Sequence, residues 1–142
     1  MAERVRSADL DADWQELAAA AAGARADAYV PYSGFGVGAA VRTVDGRIYT
    51  GANIENAAYG LTVCAERVAI WKAVSEGHRR LAALALVTET GSSPCGSCRQ
   101  VMAEFARELP VLIADTDGHA WLTSLAELLP LAFTAQDLDE AT

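Results

Sequence analysis

The chain has 142 residues, with 11 basic and 19 acidic side chains and a formal net charge of −8. This length predicts one domain over residues 1–142, and the apolar fraction of 52% is high enough to indicate contacts with other subunits. An acidic chain repels polyanions, and no stretch is apolar enough for a signal peptide or a membrane span, so we expect no nucleic acid partner, no membrane association and a cytoplasmic location.

The order of apolar and polar residues predicts ten elements. Residues 1–10 are polar, and we expect them to be flexible. Apolar residues then recur at spacings of three and four, which indicates a helix capped by Asp11, and Asp45 and Gly46 join two β-rich runs in a hairpin. The predicted elements are a helix at 11–29, strands at 37–44 and 47–54, a helix at 64–78, a strand at 81–87, a helix at 95–108, strands at 110–114 and 120–122, and helices at 124–129 and 134–140. This order favours a three-layer α/β/α domain with a mixed five-stranded sheet.

All three cysteines lie where the two middle helices are predicted to begin. Cys95 and Cys98 are three residues apart, which places them on one face of a helical turn, and Cys64 opens the other helix. Helix N-termini favour anions and therefore stabilise thiolates. Three thiolates leave one corner of a tetrahedral zinc site open, as in catalytic zinc sites, and Glu66 is placed to carry a proton beside that corner.

Other interpretations of the cysteines stay open on this evidence alone. They could be buried as small apolar residues, two could form a disulfide, or Cys95 and Cys98 could be a redox pair. A redox pair needs neither a third cysteine nor a glutamate, whereas a hydrolytic zinc site needs a third ligand and a proton carrier. The pattern therefore favours a metal site. His78 and His119 lie in a predicted helix end and a turn, where we expect them to be solvated.

Beyond the metal motif, the chain resembles the small cytidine deaminases. The resemblance rests on CAER at 64–67, PCGSCRQV at 94–101, YVPYSGF at 29–35, NIENA at 53–57 and ELLPLAF at 127–133. It covers about residues 29–138 in the order and spacing of that family. It implies a cytidine deaminase-like fold, one Zn²⁺ per subunit, and hydrolysis of free cytidine and 2′-deoxycytidine to uridine and 2′-deoxyuridine, with release of ammonia, in pyrimidine salvage.

The resemblance also implies roles for the residues around the metal. Cys64, Cys95 and Cys98 would bind zinc, and the adjacent Arg67 would offset the negative charge of the thiolates. Glu66 would move a proton from water to N3 of cytosine and then to the departing amine. A lone arginine at the surface is more often part of an ion pair, so the role of Arg67 depends on the resemblance.

The same resemblance implies which residues hold the nucleoside. An amide and a carboxylate two residues apart on a strand project to one side and can bind vicinal hydroxyls, although a solvated strand end is the simpler alternative. The implied substrate-binding residues are Phe35, Asn53, Glu55, Ala57 and Ala65. In a homotetramer, Tyr59 and Phe133 would complete the pocket of a neighbouring subunit. The alternative for Phe133 is packing in the core of its own subunit.

Two rival functions stay open. A deaminase of modified cytosine nucleosides, such as a blasticidin-type or N4-substituted one, shares the zinc motif. Asn53 to Asn56 match the ribose-binding segment of the cytidine deaminases and argue against the blasticidin type. A zinc protein that only assembles would need a fourth ligand, whereas this chain offers Glu66 beside an open corner.

Overall fold

The structure is a computed structural model, and it describes residues 1–140, so the predicted domain end at residue 142 lies outside the described residues. No helix in this described part of the chain is both long and apolar enough to cross a bilayer. The elements are β1 (Glu3–Arg6), α1 (Ala12–Arg25), β2 (Gly38–Thr43), β3 (Ile48–Ala52), α2 (Ala65–Ser75), β4 (Leu81–Val87), α3 (Gly96–Phe105), β5 (Pro110–Ala114), β6 (His119–Ser124), α4 (Leu125–Leu128) and α5 (Ala135–Glu140).

The first ten residues contain a strand, contrary to the expectation that they are flexible. β1 pairs antiparallel with β6, and Val5 lies opposite Ala120 in the register. The described sheet therefore has six strands rather than the five predicted. The expectation was wrong because it judged the segment by its polarity. An edge strand with one side in solvent needs few apolar residues, and here Val5 alone in β1 packs against the core.

The sheet is mixed, with strand order β1-β6-β5-β4-β2-β3. β4 and β5 run parallel and are joined through α3, as predicted for strands that a helix connects. β4 lies inside the sheet and is covered on both faces. Its Leu84 and Leu86 pack in a core with α2 and α3, whereas Ala85 and Val87 pack in a second core with α1. This arrangement confirms the three-layer α/β/α fold.

Two glycines let helices approach the sheet closely. A Cβ added to Gly51 in β3 would lie 2.4 Å from the carbonyl oxygen of Ala65 and 2.6 Å from the amide nitrogen of Ala69, both in α2. A Cβ added to Gly38 in β2 would lie 1.9 Å from the carbonyl oxygen of Ala21 in α1. Because only glycine permits such contacts, Gly51 sets the position of the first turns of α2.

Candidate metal centre

Cys64 and Cys95 occupy the same position on two helices. Each is the residue that precedes its helix, with extended backbone, and neither side chain caps the helix that follows. Cys98 is the third residue of α3. The two helices therefore begin one residue later than predicted, at Ala65 and Gly96. The predicted meeting of three thiols at two helix N-termini is present.

The three sulfur atoms have the spacing of a zinc site. The Sγ atoms of Cys64 and Cys95 are 3.8 Å apart, those of Cys95 and Cys98 are 3.4 Å apart, and all three lie within 4.8 Å of one another. Zn–S bonds of about 2.3 Å in tetrahedral geometry place sulfurs roughly 3.8 Å apart. A disulfide requires about 2.05 Å, and all three cysteines are free. Within the described residues, the group contains no histidine or carboxylate ligand.

The Cys98 thiol and Arg67 favour the thiolate form of Cys64. The pKa of Cys64 is lowered to about 5, first by the hydrogen bond from the Cys98 thiol and then by Arg67, whose Nη2 donates to the Cys64 sulfur at 3.2 Å. The same hydrogen bond, together with burial, raises the pKa of Cys98. Cys64 is therefore a thiolate at neutral pH. A bound cation would displace the protons that remain on the thiols, which is how thiolate sites couple metal binding to proton release.

Glu66 is a buried carboxyl beside these thiols. It lies in the first turn of α2 and is only 3% exposed. Burial, and then the negative charge of Cys64, raise its pKa above the usual value. A carboxyl whose charged form is disfavoured in this way can accept a proton and retain it during a reaction, which makes Glu66 a candidate for general acid and base chemistry.

Arg67 is held between the thiolate and an aromatic ring. Besides its bond to Cys64, its guanidinium carbon lies 6.0 Å from the ring centre of Trp71, a distance typical of cation–π contacts. Its Nε is buried and has no hydrogen-bond partner among the described residues. Arg67 thus places its positive charge beside the Cys64 sulfur.

Glu55 binds the loop that carries Phe35. Its Oε1 accepts hydrogen bonds from the backbone N–H groups of Tyr32, at 3.0 Å, and Ser33, at 3.1 Å, and its Oε2 accepts one from the Ser33 hydroxyl. The Ser33 hydroxyl in turn accepts from the N–H of Phe35 at 3.0 Å. These bonds, above all that from the Ser33 side chain, lower the pKa of Glu55. The carboxylate therefore stays ionised at neutral pH.

Asn53 binds the same loop at Phe35 and Val37. Its Oδ1 accepts from the N–H of Val37, and its Nδ2 donates to the carbonyl of Phe35, both at 2.8 Å. Asn53 and Glu55, which were predicted to bind one ligand together, both bind the loop that carries Phe35. Their hydrogen bonds hold Phe35 in place. No sequence pattern indicated the contribution of Ser33, because it depends on a contact between segments 22 residues apart.

The remaining predicted pocket residues divide into buried and exposed ones. Ala65 is fully buried at the start of α2, and Ala57 is exposed in the turn before it. Tyr59 is 77% exposed, and its ring makes an edge contact with Tyr32 at 6.0 Å between centroids. Phe133 is 58% exposed. Phe133 therefore does not fill the core of its own chain, which was the alternative to a role at another subunit.

Two residues of the second cysteine motif have contacts that the sequence interpretation did not assign. The Arg99 guanidinium donates to the carbonyls of Pro94, at 2.8 Å, and Leu128, at 2.7 Å. The Gln100 side-chain amide donates to the carbonyl of Phe133 at 2.8 Å. No local pattern could predict the contacts with Leu128 and Phe133, since these partners lie 29 and 33 residues away in the sequence.

Known proteins share this chain's sequence and fold. Residues 12–113 match the family described as cytidine and deoxycytidylate deaminase zinc-binding region. The chain belongs to this family. The cytidine deaminase from Sporosarcina psychrophila is 52% identical to this chain, over 91% of this chain and 97% of that protein. The cytidine deaminase from Halalkalibacterium halodurans is 50% identical, over 90% of this chain and 99% of that protein. The crystal structure of cytidine deaminase from Burkholderia pseudomallei has a TM-score of 0.82 and 48% identity, over 84% of this chain and 98% of that one.

Membership of the cytidine and deoxycytidylate deaminase family decides between the possible uses of the cysteines. The family is a zinc-binding one, and the spacing of the three sulfurs fits one zinc ion per subunit. The predicted family, fold and metal are thereby confirmed. The disulfide and redox alternatives are not favoured, because the thiols are free and their geometry suits a metal ion.

Proposed function

We propose that the chain is a cytidine deaminase, which hydrolyses free cytidine and 2′-deoxycytidine to uridine and 2′-deoxyuridine and releases ammonia. The observation that carries the proposal is the juxtaposition of three thiols of zinc-site spacing with the buried carboxyl of Glu66. A purely structural zinc site would offer a fourth ligand at this position. The names of the most similar relatives support the choice of substrate.

Glu66 carries the protons of the proposed reaction. A zinc ion held by Cys64, Cys95 and Cys98 supplies a Lewis acid that lowers the pKa of water. Glu66 accepts a proton from the water that adds to C4 of cytosine and donates it to N3. Glu66 then takes the remaining proton from the hydroxyl added at C4 and passes it to the exocyclic nitrogen, so that the C4–N bond breaks and ammonia leaves as the C4 carbonyl forms. The raised pKa of Glu66 suits both steps, because the carboxyl can hold the proton between them.

The charge of the site needs compensation. Three thiolates and a divalent cation sum to a net charge of −1, which opposes the loss of a proton from water. Arg67, which donates to Cys64, and the N-termini of α2 and α3 both place positive charge at the thiolates. We therefore assign to Arg67 the role of offsetting the thiolate charge.

The Phe35 loop and the Asn53–Glu55 pair form the proposed nucleoside site. Phe35 packs against the pyrimidine, and Asn53 and Glu55 bind the sugar hydroxyls. The loop uses one N–H and one acceptor position of the Asn53 carboxamide, and such a group has two of each. Backbone groups of Ala57, near the 5′-hydroxyl, and of Ala65, at the ring edge, complete the contacts. The net charge of −8 disfavours phosphorylated substrates.

Assembly into a homotetramer would complete each pocket. Tyr59 and Phe133 are large and exposed in the single chain, as expected of residues that reach a neighbouring subunit. In Phe133→Ala we expect a normal zinc content and a loss of activity. Normal assembly with undiminished activity would remove the closing role of Phe133. A free nucleoside substrate and free thiols also support a place in pyrimidine salvage in the cytoplasm.

A substrate panel tests the proposal. The zinc-loaded protein would be incubated with cytidine, 2′-deoxycytidine, cytidine monophosphate and blasticidin S, and product and ammonia would be measured separately. We expect turnover of the two free nucleosides and little of the monophosphate. Turnover of blasticidin S without turnover of cytidine would support the rival deaminase. A zinc-loaded protein that leaves all four intact would support a role in assembly only.

A further inference from the structure

Consecutive residues of α3 hold both ends of one segment near the C-terminus. We call residues 128–133 the closing segment. Nη1 of Arg99 donates to the carbonyl of Leu128 at its start, and Nε2 of Gln100 donates to the carbonyl of Phe133 at its end, at 2.7 and 2.8 Å. α3 is also the helix that carries Cys98. The segment is therefore tied to the helix that carries Cys98 and begins directly after Cys95.

The backbone between the two tethers is strained. Leu131 has a φ of 55°, in the left-handed region that a leucine rarely adopts. No other non-glycine residue among residues 1–140 has a positive φ. Its side chain is fully exposed, so no packing within its own chain holds it there. A strained conformation persists only when its surroundings fix it. The two hydrogen bonds from α3 are contacts that can do so.

We propose that Gln100 is a positioning residue, which fixes Phe133 relative to the metal-bearing turn of α3. This inference rests on the proposed function, in which Phe133 closes the pocket of a neighbouring subunit. Gln100 lies two residues after Cys98 in α3. Its hydrogen bond to the Phe133 carbonyl therefore links the position of Phe133 to that of the thiols. A pocket built from two subunits needs both parts at defined positions, because small displacements lower the rate steeply.

Gln100 can be tested with less disturbance of the metal than Arg99. Arg99 also binds Pro94, the residue before Cys95, and the hydroxyl of Ser93, so its loss would disturb the metal loop itself. Gln100 is exposed in the single chain and makes its bond away from that loop.

The test compares Gln100→Leu, which removes the donor, with Gln100→Lys, which keeps one. We expect Gln100→Leu to retain one zinc per chain and the wild-type assembly, and to lower kcat/KM for cytidine about three- to tenfold, mainly through KM. The lysine variant should recover much of this loss. Gln100→Leu should have no further effect in a Phe133→Ala background. Backbone amides of residues 132–134 should exchange hydrogen faster in Gln100→Leu.

Gln15→Leu is the matched control. Gln15 also donates from its amide to a backbone carbonyl, that of Leu10 at 2.7 Å, but it lies in α1 on the other face of the sheet. It should change neither kinetic constant nor exchange in residues 132–134. Unchanged kinetics in Gln100→Leu, or an equal loss with and without Phe133, would overturn the inference. If the wild type does not deaminate cytidine, the proposed function fails, and unchanged exchange in Gln100→Leu would separately refute the tether.

Discussion

Replacing Gly51 by alanine should displace the helix that carries Glu66. In β3, the added Cβ would lie 2.4 Å from the carbonyl oxygen of Ala65, 2.6 Å from the amide nitrogen of Ala69 and 2.9 Å from Cβ of Val68. Two of these atoms belong to the backbone of α2 and cannot turn aside. The helix itself must therefore move, or the strand must.

The size of the displacement follows from these distances. Ordinary contact begins at 3.4 Å, so α2 must retreat by about 1 Å at its first turn. Overpacking of this kind costs about 1–3 kcal/mol of stability. Metal–ligand distances tolerate only about 0.2 Å. Cys64 and Glu66 would therefore be displaced from Cys95 and Cys98 by several times that tolerance. We expect zinc affinity to fall at least about tenfold and kcat/KM about a hundredfold.

The assay compares Gly51→Ala with Gly38→Ala. The second substitution makes the same kind of clash, with the carbonyl of Ala21 in α1, on the face of the sheet away from the metal centre. Urea denaturation would measure stability, and competition with a chromophoric chelator would measure zinc affinity of the folded proteins. Both variants should lose stability, but only Gly51→Ala should lose zinc affinity.

Wild-type zinc affinity and activity in folded Gly51→Ala would refute this reasoning. Such a result would show that the metal centre does not depend on how closely α2 lies against β3. Equal losses of zinc affinity in both glycine variants would also contradict it, because they would point to general instability instead of a displaced helix.

Three further predictions concern charge, pH and backbone entropy. Arg67→Gln should weaken zinc binding about ten- to a hundredfold in a chelator competition, because it removes the contact with the Cys64 thiolate. Arg79→Gln makes an equal charge change at an exposed site and should not weaken zinc binding. Equal effects of the two substitutions would contradict the role of that contact. Hydrogen bonds from Ser33 and the backbone hold the pKa of Glu55 below its usual 4.5. The stability advantage of wild type over Glu55→Gln should therefore be full above pH 4.5 and shrink as the pH falls through the lowered pKa. A stability difference in urea denaturation that does not change with pH would argue against this. Gly23→Ala in α1 should raise stability by about 0.5–1 kcal/mol, since the added Cβ meets nothing within 4 Å, and a lower melting temperature would show that the helix is strained there.

Local patterns in the sequence predicted the elements that carry the metal centre. Pro94 and the spacing of Cys95 and Cys98 predicted the start of a helix with both thiols on one face, and the structure has α3 beginning at Gly96. Asp11 caps α1 as predicted, with its Oδ1 accepting from the N–H of Trp14 at 3.0 Å. These features depend on neighbours within one helical turn, which is why sequence alone was sufficient.

Features that depend on distant partners were missed or only partly predicted. β1 is polar, and it becomes a strand only because β6, more than 100 residues away, offers its edge. Asn53 and Glu55 were predicted to act as a pair, but the contacts with Val37 and Ser33 that make them part of the Phe35 loop were not. The roles assigned to Tyr59, Phe133 and the substrate-binding residues stay predictions, because they depend on a second subunit and a ligand.

The most direct test of a hydrolytic zinc centre is a zinc titration of the metal-free protein with cytidine deamination measured at each step, in wild type and in Glu66→Gln. We predict that wild-type activity rises in proportion to bound zinc and levels off at one ion per chain. Glu66→Gln should bind the same single ion and remain inactive. Deamination by the metal-free wild type, or by zinc-loaded Glu66→Gln at the wild-type rate, would contradict the assignment of zinc and Glu66 to the reaction.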